Sequence, residues 1–243
     1  MEIDPDDDAP HALNNHELAT RMAYALWSSM PDDTLFGLAD AGTLNKPDTL
    51  QAEITRMLED PKAQALVENF AWQWLHLRNL RDVVRDSTKY PEFDEELAHS
   101  MRLETEYLFR YFMDWPLDFR DFVDPGYTFV DERLANFYGL DGSFSSAFAL
   151  TDTTNSQRTG LLSHASILTV TSHTFRTSPV KRGKWILGQL LCAEPPPPPG
   201  DIDTSLESEG NEDLTIKEKM ADHRNKPECA GCHMLMDPLG LSL

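Results

Sequence analysis

The sequence predicts an all-α protein: a multi-helix domain over residues 14–140, then a smaller helical segment over 158–243 with a proline-rich spacer and a C-terminal cysteine–histidine motif. Three observations lead there. Apolar residues recur at three- and four-residue intervals through the first 140 positions, the period of an amphipathic helix. Capping residues and prolines stand where those stripes begin. The balance of 40% apolar and 26% charged residues is that of a globular chain, so disorder is not the default.

Taken in order, Asn14 or Asn15 caps a helix running to Ser29, with Leu18, Met22, Ala25 and Leu26 on one face. Pro31 opens a second, short helix whose positive N-terminal end suits Asp32 and Asp33. A third starts near Pro47 and carries Leu50, Ile54, Met57 and Leu58; Asp60-Pro61 then restarts the pattern with Leu66, Phe70, Trp74 and Leu77. A long helix over about 94–113 carries Leu97, Met101, Leu108 and Phe112, and its acidic pairs Glu95/Glu96 and Glu104/Glu106 are expected on a solvated face. A shorter helix through Leu134, Phe137 and Tyr138 stops at Gly139. Trp72, Trp74 and Trp185 are expected in helical cores rather than around a cofactor.

Residues 141–157, rich in Ser, Thr, Asp and Asn, read as a loop. Helical signals resume over 161–168 and 180–191, and the β-branched stretch 167–177 suits a short extended piece. The five prolines 195–199 require a stiff polyproline II spacer. Residues 200–213 are acidic and polar and are expected to be mobile, and a last helix near 214–223 leads into the motif.

Charge narrows the partners. With 41 acidic residues against 21 basic ones the formal charge is −20, which repels nucleic acid and anionic lipid and favours solubility or a basic protein partner. No apolar run approaches the roughly 20 residues that cross a bilayer, and the start MEIDPDDDAP is not a signal peptide. Three cysteines are too few for a disulfide scaffold.

The segment Cys229-Ala-Gly-Cys232-His233 carries the chemistry. Two cysteines three apart, followed directly by histidine, form the attachment pattern of covalent haem c: two thioethers reach two vinyl groups on one porphyrin edge, and the histidine becomes the proximal iron ligand. A disulfide or redox pair uses the same cysteine spacing, and zinc would need further ligands, of which Cys192 and His223 are the only thiol and neighbouring imidazole to hand. For the distal side of an iron the candidates are His173, His164 and Met236, with Met236 expected to pack near the haem edge or the local turn. Arg176, Lys181 and Arg182, beside the cap Ser178 and first-turn Pro179, could hold an anion such as a haem propionate or a partner carboxylate, or simply pair with the chain's own acids. His16-Glu17 begins like a zincin motif, but Thr20 stands where the second histidine belongs; nucleophile-elbow, phosphate-loop and dinucleotide motifs are missing.

Longer segments add a resemblance. LATRMAYALWSSMPDDTLFGLADAGTL, ALVENFAWQWLHLRNL and YTFVDERLANFYGL resemble one helical domain of unknown function. RTGLLSHASILTVTSHTFRTSPVKRGKWILGQLLCAEPPPPPGDID and HRNKPECAGCHMLMDPLG are similar to the planctomycete-type cytochrome c-like family, also of unknown function. The resemblance implies tandem domains of a large exported bacterial protein, a haem on Cys229, Cys232 and His233, a periplasmic or other extracytoplasmic location, and electron exchange with a redox partner or with neighbouring haem domains of the same polypeptide. It also implies that the second domain continues past an Asp237-Pro238-Leu239-Gly240 turn, so the chain reads as an interior piece truncated at its C-terminus, and a downstream segment could bring the distal ligand. Three functions are therefore expected in competition: an electron-transfer haem module, a haem oxidoreductase of peroxidase or oxygenase type with His173 or His164 as distal acid–base group, and a non-haem structural module with a Cys229–Cys232 disulfide.

Overall fold

The computed structural model describes residues 11–158, 160–197, 200 and 213–243. The N-terminal MEIDPDDDAP, the last two prolines of the spacer and nearly all of the acidic stretch 200–213 lie outside the described residues; Pro195, Pro196 and Pro197 belong to no helix or strand. The chain forms two compact units, 1–74 with 106–122, and 75–105 with 123–243.

The first unit is helical. Helix α1 (Asn15–Trp27) opens on a reciprocal capping box, in which the Glu17 amide donates to Asn14 Oδ1 and the Asn14 amide to Glu17 Oε2. In α2 (Asp33–Asp40) the cap is Asp32, whose carboxylate accepts from the Leu35 amide at 2.9 Å, so Pro31 precedes the cap instead of opening the helix. Helix α3 (Pro47–Glu59) does begin on its proline. Their apolar stripes meet in a core of Ala19, Met22, Ala23, Trp27, Leu35, Ala39, Leu44, Met57 and Ala63. Trp27 is buried there with its Nε1 donating to the Met57 carbonyl at 2.8 Å, which satisfies the one polar atom of the side chain.

The helix expected across Leu66, Phe70, Trp74 and Leu77 is broken. A 3-10 turn (Pro61–Ala63) leads to a π-helical stretch (Leu66–Ala71), which runs into the single α-helical turn α4 (Trp72–Trp74). The π stretch shifts the register, so Phe70 is exposed and Trp72 and Trp74 are only half-buried. Trp74 stacks on Phe119 and Phe122, and Phe122, fully buried, also takes Phe109 and Phe112 edge-on.

In the second unit, α5 (Glu95–Asp114) begins, with Asp94 accepting from the Leu97 amide at 2.8 Å. Strands β1 (Tyr127–Val130) and β2 (Ala149–Asp152) then pair antiparallel, Tyr127 opposite Asp152 and Val130 opposite Ala149. This small sheet corrects the all-α expectation: the protein is mostly helical with one two-stranded sheet. Tyr-Thr-Phe-Val favours a pleated strand, but four residues are too few to display the two-residue alternation, and β2 lies inside the stretch expected as a loop. Between the strands, α6 (Glu132–Tyr138) is capped by Asp131 and stops at Gly139, whose φ of 67° suits glycine.

Helix α7 (Ala165–Val170) takes the β-branched residues expected in an extended piece. Thr171 and Ser172 hydroxyls donate back to the Ile167 and Leu168 carbonyls, each at 2.7 Å, and close the helix end. Leu97, Met101, Val130, Leu134, Ala135 and Ala165 form this unit's core. Ser178 caps α8 (Pro179–Trp185), which continues as a π-helical turn (Ile186–Leu190). Helix α9 (Ile216–Arg224), with a Thr215/Glu218 capping box, leads to α10 (Pro227–Leu241).

Helices α8 and α10 touch backbone to backbone. A Cβ on Gly183 would stand 2.0 Å from the Met236 carbonyl oxygen, and one on Gly240 1.8 Å from that of Pro179. Asp237-Pro238-Leu239-Gly240, expected as a turn, lies within α10: the packing against α8 holds it helical although Pro238 donates no hydrogen bond there. Among the described residues no helix is long and apolar enough to cross a membrane.

Candidate functional site

The Cys229–His233 motif occupies the first turns of α10, just after Pro227. The cysteines stand three positions apart on the helix, so both project from one side. Cys229 is buried and Cys232 half-buried, and both are free thiols. His233 follows on the same helix, 9% exposed.

Its ring is oriented. His233 Nδ1 lies 2.9 Å from Asp237 Oδ1, one helical turn on, and Asp237 is fully buried. A carboxylate only accepts, so Nδ1 is the donor of this pair and Nε2 is the ring nitrogen left for another partner. Arg224, at the end of α9, reaches the second Asp237 oxygen at 3.3 Å. His223 sets its ring against that of His233, with centroids 4.8 Å apart and planes at 61°. Sequence reading assigned Asp237 to a turn and so missed it; the four-residue spacing from His233 within an uninterrupted helix is the signal that finds it. Among the described residues no three His, Cys, Asp or Glu side chains come together to hold a metal ion.

The other candidates are dispersed. His164 is 1% exposed, and both of its ring nitrogens are engaged: Nδ1 with Thr105 Oγ1 at 2.9 Å, Nε2 with Thr128 Oγ1 at 3.2 Å. Beside it, Glu104 is wholly buried and accepts from Tyr138 at 2.6 Å and Thr128 at 2.8 Å. The Ala165 amide donates to the same Tyr138 oxygen at 2.8 Å, and Thr105 shares a 2.7 Å hydrogen bond with Ser166. This overturns the solvated face expected for Glu104. Positions 97, 101, 104 and 108 form one helical stripe, so Glu104 was always on the buried side.

Burial pushes Glu104 up to about 8, and burial with the nearby Arg158 cation pushes His164 down to about 3. At neutral pH the two are thus uncharged, a glutamic acid beside an imidazole 3.8 Å away, rather than an ion pair. His173 is half-buried, its main chain tied to Arg176 and Arg85; burial lowers its pKa, and Lys181, Arg176 and Arg85 lower it further. Met236 is buried against α8, three residues from His233 on the same side of the same helix, which keeps it off the opposite side of any group bound to that histidine.

The cations expected to act together separate. Lys181 is exposed, Arg176 sits over its neighbour Phe175, and Arg182 faces a concavity shared with Arg85 and Arg158, which sequence reading did not single out.

Residues 158–243 match the family model PSCyt3, a protein of unknown function (DUF1588). No curated protein and no solved structure matches the chain. Residues 13–140 match the model PSD4, a protein of unknown function (DUF1592); as that match spans more than half of the chain, the protein belongs to the DUF1592 family and carries a DUF1588 domain in tandem behind it.

Proposed function

We propose that the second unit is a c-type haem module that passes electrons within a longer extracytoplasmic protein. The observation that carries the reading is the oriented His233: an imidazole held through Nδ1 by a buried carboxylate directly follows two free thiols on one helix. That donor set fits haem c in its chemistry, two thiols for the vinyl groups and one neutral imidazole for the iron. The cytochrome-like label of the family model over 158–243 supports the same reading. The group would supply one-electron chemistry when bound. Cys229 and Cys232 would hold it covalently. Asp237 would keep the His233 proton on Nδ1 and raise the basicity of Nε2, and Arg224 would hold Asp237 in place. An acidic surface of −20 suits a basic redox partner or a neighbouring haem domain of the same polypeptide.

The test is expression with periplasmic haem maturation, followed by reduced-minus-oxidised spectra and intact mass. The expected result is a porphyrin mass on the parent, one thioether fewer in Cys232→Ala, and a higher midpoint potential in Asp237→Asn as the axial imidazole loses basicity. A mature parent with no haem absorbance, or one that has lost two hydrogens to a Cys229–Cys232 disulfide, would sink the proposal.

A further inference from the structure

Within the second unit, α5, α7, α8 and the segments before and between them enclose a concavity of about 230 Å³. Its walls are apolar, with Phe93, Met101, Leu168 and the ring of Tyr90. Into it face three half-buried guanidiniums, Arg85, Arg158 and Arg182, brought from three separate parts of the sequence.

What these arginines touch is unusual for a chain with twice as many acids as bases. Arg85 donates to the main-chain carbonyls of Thr169 and His173, Arg158 to that of Ser163 at 2.9 Å, and Arg182 to a terminal carboxylate oxygen of Leu243 at 2.9 Å and to Ser172 Oγ at 3.5 Å. Arg158 also lies 4.4 Å above the Tyr138 ring. Among the described residues no Asp or Glu side chain forms an ion pair with any of the three. The one buried acid close to Arg158, Glu104, is held protonated, and Glu92 at the mouth is exposed. Arg182 Nε is buried with no hydrogen-bond partner. Burial lowers the Arg182 pKa, and the Arg85 and Arg158 cations lower it further, so the like charges act on one another. Partly desolvated cations without counter-ions cost free energy. Among the described residues Arg85 and Arg158 meet no carboxylate and Arg182 only the terminal one, so a bound anion relieves the repulsion of the three around one cavity.

We propose that this cavity binds a small organic anion, with a carboxylate or similar acid group set among Arg85, Arg158 and Arg182 and an apolar body against Tyr90, Phe93, Met101 and Leu168. The guanidinium fork matches a planar carboxylate. The volume lies below the usual range of about 300–1,000 Å³ for drug-sized ligands and so selects a body the size of one aromatic ring. Three cations unpaired with any Asp or Glu side chain among the described residues distinguish the site from ordinary surface pairing, and nothing in it depends on haem attachment.

The test uses benzoate, benzamide and inorganic phosphate as probes on the full chain, with the cysteines replaced by alanine so that haem loading plays no part. Calorimetric titration and thermal melts give the readouts. Benzoate is expected to bind saturably and raise the melting temperature, as mass action requires. Neutral benzamide should leave it unchanged, and phosphate should bind at least about tenfold more weakly because it lacks the apolar body. Arg182→Met and Arg158→Met should each weaken benzoate by about tenfold or more. Without benzoate both variants should still melt cooperatively, so that the affinity loss is read by calorimetry on folded protein, and the benzoate–benzamide contrast on the parent stands independently of either variant. No saturable benzoate binding at ~10 mM, equal binding of benzamide or phosphate, or full benzoate affinity in both variants would each overturn the proposal.

Discussion

The two compact units differ in what they bury. In the first, the side chains removed from water are overwhelmingly apolar, and its two buried acids are tied locally: Glu17 in a capping box and Glu53 to Arg56 at 2.7 Å. The second encloses Glu104, His164, Thr105, Thr128, Ser166, His223, His233 and Asp237. Burying polar groups costs free energy unless each finds a partner, and such a network fixes a unique arrangement when it is satisfied. The first unit thus resembles a packed support held by the hydrophobic effect. The second spends stability on oriented polar groups, and both proposed sites belong to it.

Three substitutions would break or sharpen that contrast. The largest effect is expected for Gly240→Ala. Its new Cβ would fall 1.8 Å from a main-chain oxygen that no side-chain rotation can move, so α8 and α10 must separate. A loss of roughly 3 kcal/mol or more is expected, as for severe overpacking. Amide exchange should locate it in 123–243, with protection in α1–α3 retained. Next comes Leu35→Ala in the first unit. Leu35 is fully buried in the apolar core, so the variant should lose about 3 kcal/mol by denaturant titration, with no dependence on pH.

The smallest effect, Glu104→Gln, is the most diagnostic. With its pKa raised to about 8 in the folded protein, Glu104 stabilises fully below its unfolded value near 4.5, and that contribution is lost as pH rises towards 8. His164, lowered to about 3, acts oppositely: its contribution is present above its unfolded value near 6.5 and is lost as pH falls towards 3. Together they predict maximal stability between about 4.5 and 6.5, falling on both sides. Glu104→Gln keeps a neutral hydrogen-bonding group, so it should lie within about 1 kcal/mol of the parent at pH 5. It should exceed the parent at pH 9, because the alkaline decline is gone. An unchanged alkaline limb in melts from pH 4 to 9 would mean that Glu104 is not the group responsible.

Much of this was legible in the sequence. Local signals held where a helix was long and capped: Asn14 and Gly139 mark real boundaries, the start expected at Pro31 falls instead after the cap Asp32, and the stripes of α1, α3 and α5 face real cores. Two kinds of information were not local. The strands are four residues each and gain their meaning only from pairing across about twenty residues. The units interleave along the chain, which no boundary in composition marks. For the site, the cysteines and His233 were visible as a motif, while Asp237 and Arg224 acquired roles only once Asp237-Pro238-Leu239-Gly240 proved helical. Glu104 was misjudged because its charge outweighed its position on the stripe.

The contact between Gly183 and Gly240 has a bearing on drift. Where side chains interlock, a change on one helix is answered by a change on the other, and the spacing wanders through generations of compensation. Here main chain meets main chain, so the distance between α8 and α10 is set by the radius of the polypeptide itself. Two positions without side chains thus fix the spacing of the helices that carry His233 and Arg182, one on each.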